Sequence, residues 1–239
     1  MGKGLFVILA ATLTIFISGQ HSVFAQFHGV DVWNSEEAHS ENRMERHFDS
    51  KALLKLHAME LGIDTEGKDA DSLAAEVHEA MIKQGAMDLG IDMEGKDLQE
   101  LEKEVHFARM IHKAEQLGIE TNGREEKAIS NELQEKMIMQ KADELGISSK
   151  GKDLKELRKE IKETHINSKA EEFNISTDGK SPHDIMREIR EFKVTKSAEE
   201  LGIETANKDT EEILEEIITN HYDEAKGKKI YPFEEKDHY

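Results

Sequence analysis

From residue 54 onward the chain repeats one pattern of apolar and polar positions every 28 residues without slippage. Its clearest copy is Leu89-Gly90-Ile91-Asp92-Met93-Glu94-Gly95-Lys96-Asp97, and counterparts start at Leu61, Leu117, Leu145, Phe173 and Leu201. A fixed period in this range predicts a tandem-repeat protein. Leu101 and Val105 share one helical face, as do Leu73/Val77, Ile129/Leu133, Leu157/Ile161, Ile185/Ile189 and Ile213/Ile217. A second set of columns follows, seen as Ile82/Ala86/Leu89, Met110/Ala114/Leu117 and Ile138/Ala142/Leu145. From Leu101 to Met110 a helix turns through about 900°, half a turn out of phase. The two halves of each helical stretch therefore bury opposite sides.

Glycines and caps place the helix ends. Gly62, Gly90, Gly118, Gly146 and Gly202 each follow a leucine, and Asn174 takes the same place after Phe173. Gly and Asn accept the left-handed backbone that closes a helix. New helices are predicted after Asp69, Asp97, Glu125, Asp153, Ser181 and Asp209. Asp and Ser cap well because a side-chain oxygen takes an unpaired backbone N–H. Pro182 at a first helical position fixes the register, and Glu100, Glu156 and Glu212 supply capping-box partners. The loop between carries a second Gly (67, 95, 123, 151 and 179) or Asn207; Gly67, Gly95, Gly123, Gly151 and Gly179 thus join the first set as structural loop positions.

The change of face sets the unit: the short helix before a loop plus the helix after it, giving residues 54–81, 82–109, 110–137, 138–165, 166–193 and 194–221. In 82–109 the expected core is Ile82, Ala86, Leu89, Ile91, Leu98, Leu101, Val105 and Ala108. The joint between units is either one straight helix or a break, since Gly85, Thr164-His165-Ile166-Asn167 and Val194-Thr195 are weak helix formers. So small a unit buries little surface, so neighbours are expected to pack on one another. The fold class read from this is all-α, with six tandem 28-residue helix–loop–helix repeats forming an elongated array.

The ends differ from the repeats. Lys3, the apolar run Leu5 to Ile17 and Val23-Phe24-Ala25 read as a signal peptide, residues 1–25, cleaved after Ala25. The run is short for the ~20 residues of a membrane span, so the product is expected to be secreted, extracellular or loosely held at the surface, with no membrane part after cleavage. Residues 26–53 form a lead-in, with Ser40 capping a helix that runs to Leu53. Residues 222–239 read as a flexible tail, in which Tyr231-Pro232-Phe233 either docks a partner or packs on the last unit.

Composition narrows the chemistry. There is no cysteine, which excludes disulfides and thiolate metal sites. The net charge of −19 becomes −20 once Lys3 leaves with the signal peptide, which opposes non-specific binding to nucleic acid or anionic lipid. The chain shows no nucleophile elbow, paired-histidine zinc helix or phosphate-cradling loop, and the expectation is a non-enzyme with no cofactor and no specific metal. His28, His39 and His47 with nearby acids offer a weak alternative, a divalent-cation binder. The scattered methionines fit adaptable packing.

The motif L-G-I-x-T-x-G-K-D-x-x-x-L resembles the helix–extended loop–helix unit of SAP, LEM and Rho N-terminal domains, across residues 54–221. The resemblance implies binding of nucleic acid or a partner protein through the loop and the start of the second helix. There it points to Lys68, Lys96, Arg124, Lys152, Lys180 and Lys208. Each is a single base near acids, whereas phosphate binding needs several uncompensated bases. Only unit 138–165 has a positive sum, seven bases against six acids. Lys150, Lys152, Lys155, Arg158, Lys159 and Lys162 are its candidate anion-binding residues. The functional expectation is a structural or interaction role with an extracellular or cell-envelope protein of a bacterium, with anionic-polymer binding as the alternative.

Overall fold

The computed structural model describes residues 50–234. The expected signal peptide, Ser40 and the histidines of the lead-in lie outside the described residues, as do 235–239. The described chain is all-helical: α1 (Lys51–Glu60), α2 (Ala70–Asp88), α3 (Leu98–Gln116), α4 (Glu126–Glu144), α5 (Leu154–Glu172), α6 (Pro182–Leu201), α7 (Thr210–Asn220) and α8 (Tyr222–Lys228). No strand occurs among the described residues.

The expected caps are where the sequence places them. Asp69, Asp97, Asp153, Ser181 and Asp209 each accept a backbone N–H from the first turn, while Glu125 holds the same position without a side-chain bond. Reciprocal capping boxes join Asp97 with Glu100, Asp153 with Glu156 and Asp209 with Glu212. At the other end Gly90 lies at φ +67°, and Asn174 at φ +54°. The Ile91 N–H then reaches back to the Ala86 carbonyl at 2.8 Å, and Ile63, Ile119, Ile147, Ile175 and Ile203 make the same bond to Ala58, Ala114, Ala142, Ala170 and Ala198. These six alanines are fully buried. They leave room for the neighbouring helix where the backbone doubles back.

Among the described residues, buried side chains gather into six separate clusters. The cluster of the second unit contains Ile82, Ala86, Leu101 and Val105, with Leu89, Ile91 and Leu98 packed against it. Ala108 is half-buried and outside that cluster. The joints between units do not break: α2 to α5 each run 19 residues and α6 runs 20. Gly85 does not interrupt α2. It is buried because the Arg109 guanidinium lies across it, where a Cβ would sit 2.0 Å from Nη2. Neighbouring units are thus coupled by shared helices rather than by one continuous core.

The row of units returns on itself. Successive helices from α1 to α7 pack in chain order, and α1 also packs on α7. Ala52 and Leu56 of α1 join the last cluster, beside Leu214 and Ile218 of α7, while Leu54 and Ala58 join the first. Ten residues of α1 thus serve two cores, as the longer helices do. At this seam Glu211 accepts the Ala52 N–H at 2.7 Å and the Ser50 hydroxyl at 2.9 Å. Lys55 pairs with Glu215 at 3.0 Å, and Lys226 lies 3.8 Å from Glu60. The expected helix running through to Leu53 is corrected here: Ser50 is extended (φ −132°, ψ 123°) and caps α1 through the Leu53 N–H.

The expected flexible tail also differs. Its first part folds as α8, with Ala225 fully buried, and Ile230, Tyr231 and Phe233 packed against the last cluster. Tyr222 and Phe233 meet edge to face at 5.0 Å, and Lys193 pairs with Glu234 at 2.5 Å. The reason is local: Tyr222, Ala225, Ile230, Tyr231 and Phe233 supply enough apolar surface to cover the open side of α7.

Two stability outcomes follow from this geometry. Gly90→Val forces a β-branched residue into a left-handed position and should cost more than ~1 kcal/mol, whereas Gly90→Asn should be tolerated. Equal losses in urea midpoint for the two variants would contradict the assigned helix end. Glu60 at the seam titrates above the ordinary glutamate range, chiefly through burial, against the lowering effect of Lys226 and Tyr222. An acid with a raised folded pKa favours the folded state at low pH. That contribution is fully present below the ordinary value of 4.5 and is lost as pH rises through the raised folded value. Glu60→Gln should therefore melt at or above the parent protein at pH 7, and lose that advantage as the pH falls towards the ordinary glutamate value. A variant that melts lower at pH 7 would show that the Lys226 pair outweighs burial.

Candidate anion-binding face

The loop base singled out by the repeat sits immediately before each N-cap. For Lys96, Arg124, Lys152, Lys180 and Lys208 the loop is held by a turn in which the base's N–H bonds three residues back, as from Lys152 to the Ser149 carbonyl at 3.2 Å, with a left-handed Gly151 between them. Asp92 tightens the same loop in the second unit by accepting the Glu94 N–H at 3.0 Å. These bonds aim the base along the first two turns of the following helix.

There it meets a glutamate eight residues ahead, in all six units. Lys68 pairs with Glu76 at 2.5 Å, Arg124 with Glu132 at 2.7 Å, Lys180 with Glu188 at 2.6 Å and Lys208 with Glu216 at 2.5 Å; Lys96–Glu104 and Lys152–Glu160 form the same contact. The bases are about one-quarter to one-third exposed. Arg124 also donates to the Glu120 carbonyl at 2.9 Å. The pair fastens the loop to the helix. It also offsets an unfavourable placement, since a cation beside a helix N-terminus opposes the macrodipole.

The six candidate residues of unit 138–165 are not one continuous basic surface. Lys152 is committed to Glu160, and Lys159 stands 3.8 Å from Glu163 with three-quarters of its side chain exposed. Arg158 is half-buried, with its Nε covered and without a hydrogen-bond partner. Lys150, Lys155 and Lys162 are exposed and make no ion pair among the described residues. Lys155, Lys159 and Lys162 lie along one flank of α5, at the three-, four- and seven-residue spacings that align on a helix. At the far end of the unit, burial holds His165 below the ordinary histidine range, and Lys169 and Lys141 push the same way.

The loop glycines and asparagines have a conformational role: Gly62, Gly67, Gly90, Gly95, Gly118, Gly123, Gly146, Gly151, Gly179, Gly202, Asn174 and Asn207 all have positive φ. Among the described residues no three His, Asp or Glu side chains come together as a metal-holding group. The shallow depression lined by Asn167, Glu171, Ile175, Ser176, Thr177 and Asp178 is open to solvent. No helix among the described residues is long and apolar enough to cross a membrane.

Compared with known proteins, the chain matches no family model, no curated protein and no solved structure.

The apolar columns do not reveal the base–acid pair, because each base has nearer acids in sequence. The signal is nevertheless visible: a base and a glutamate stand eight apart at the same place in every unit. A double-mutant cycle with Lys96→Met and Glu104→Gln should give a coupling of about 0.2–1 kcal/mol that fades in about 1 M salt. Exchanging the two residues, as Lys96→Glu with Glu104→Lys, should recover the stability lost in either single charge reversal. Failure of the exchange to recover it would mean that the pair is not the purpose of these positions.

Proposed function

We propose that the protein is a secreted, non-enzymatic helical scaffold with a structural or protein-interaction role at a bacterial cell surface or matrix. The observation that carries this reading is the pairing of all six loop bases with glutamates of their own units. At the positions where the SAP-like comparison implies ligand binding, the cationic side chains hold the loop to its own helix. What the repeats leave outward is an extended acidic surface, suited to several weak contacts with a partner protein acting together. Secretion rests on the leader sequence of residues 1–25.

The test is capture with the tagged mature protein on intact producing cells. A protein of the envelope or matrix retained by the parent protein, and released by excess untagged protein, is the expected outcome. Recovery of wall polymer or nucleic acid in its place would favour the second reading.

That second reading, binding of DNA or another anionic polymer, is supported by one observation, the unpaired Lys150, Lys155 and Lys162 around α5. It makes a local demand. Lys150→Glu, Lys155→Glu and Lys162→Glu together should abolish retention on DNA or a teichoic-type polymer and leave helicity intact, since all three are exposed. Retention should fall steeply with added salt. Salt-independent retention, or retention that survives the triple change, would remove this reading.

A further inference from the structure

We infer that the α1–α7 seam is a self-assembly joint, through which the head of one copy pairs with the tail of another when the circuit opens. Every other joint between units is crossed by a continuous helix. The seam alone is held without the chain passing through it, by Ala52 and Leu56 against Leu214 and Ile218, by Glu211 on Ser50 and the Ala52 N–H, and by Lys55–Glu215. It is therefore the place where the circuit can open without breaking a helix, and local opening follows the least costly route.

The surfaces are built for this contact rather than inherited from the repeat. At the place of Leu214 the other units carry Ala74, Glu102, Ser130, Arg158 and Met186, and at the place of Ile218 they carry His78, His106, Gln134, Lys162 and Arg190. Leu214 and Ile218 are fully buried in the closed circuit. Opening would leave them exposed on α7, while Leu54 and Ala58 keep α1 on its own unit and leave Ala52 and Leu56 facing outward. Head and tail are then different, complementary surfaces on one chain. Such a contact closes within one copy or propagates between copies as a heterologous, head-to-tail assembly. Closure within a copy has an effective concentration on the order of mM, so dilute protein stays closed and assembly requires crowding or a load that opens the seam.

The absence of native cysteine allows a direct test on the full-length mature chain. Lys55→Cys with Glu215→Cys places two thiols across the seam, where Nζ and Oε1 now stand 3.0 Å apart. The protein is held in mild, sub-denaturing urea at increasing concentration, returned to buffer and oxidised, and the products are separated by denaturing gel without reductant. Dilute samples should give the intramolecular disulfide. Intermolecular dimers and higher ladders should rise with protein concentration towards the mM range. Adding Leu214→Glu and Ile218→Lys, which restore the residues found at 102 and 162, should suppress the ladder at least severalfold. Intramolecular product alone at every concentration would overturn the inference. A ladder undiminished by the two apolar replacements would also overturn it, because linkage would then not depend on the seam.

Discussion

Everything in this fold depends on a helix that buries one face in its first half and the opposite face in its second. In α3, Leu101 and Val105 belong to one cluster and Met110 and Ala114 to the next. No unit owns a complete set of helices. Each borrows the end of one and the beginning of another, and its small core is stable only while both helices persist. The coupling between neighbours is therefore carried by backbone hydrogen bonds along 19 or 20 residues, not by apolar contact between cores. This differs from a solenoid whose repeats stack into one hydrophobic layer. It explains why helix continuity through Gly85 matters more than its propensity: the bulk of Arg109 over that glycine leaves no space for a better helix former without moving the guanidinium.

A circuit built this way has a problem where α1 and α7 meet, since each of these two helices would otherwise have one side without a core. The structure resolves it from both sides. Among the described residues, α1 is ten residues long and carries its two apolar pairs in overlapping register, Ala52/Leu56 and Leu54/Ala58. The last repeat helix is widened instead, adding Leu214 and Ile218 to the standard pair Ile213 and Ile217. Glu211 then supplies an acceptor to the Ala52 N–H, in the first turn of α1, where helices have donors without partners. The ends satisfy each other, and α8 with the chain beyond it covers what remains of the last cluster.

Much of this was legible in the chain. Caps, left-handed glycines and capping boxes all follow from single positions and elementary helix geometry, and the structure places them accordingly. Three things were not legible by that route. Curvature is the sum of small rotations at each joint, and no single residue encodes it. The base–acid pairs span eight residues from loop to helix, so neither helical nor strand periodicity exposes them. The widened face of α7 was hidden because aligning apolar columns rewards sameness. Ile218 stands among His, Gln, Lys and Arg at its position, and Leu214 among Ala, Glu, Ser, Arg and Met; those mismatches were the signs in the sequence that the last unit touches something the others do not. α8 was obscured by polar and charged neighbours such as Lys228 and Lys229, between which Ala225 and Ile230 make the packing contacts.

The charge pattern follows from the same architecture. The two most acidic units, 54–81 with two bases against seven acids and 194–221 with two against eight, are those that meet at the seam. Like charge there favours an open circuit, and the screening length of about 8 Å at physiological salt only partly removes that repulsion. Closure must therefore rest on short-range contacts: the apolar set around Leu214, the paired Lys55 and Glu215, and the two bonds accepted by Glu211. The only unit with a positive sum, 138–165, is separated from both seam units by at least one whole unit along the circuit. Its unpaired lysines are thus remote from the acids they would otherwise neutralise. Long-range electrostatics oppose the seam while short-range contacts hold it, and a joint set by that opposition responds to salt: lower ionic strength lengthens the reach of the repulsion and also strengthens the Lys55–Glu215 pair, while the apolar contacts are the part least sensitive to it.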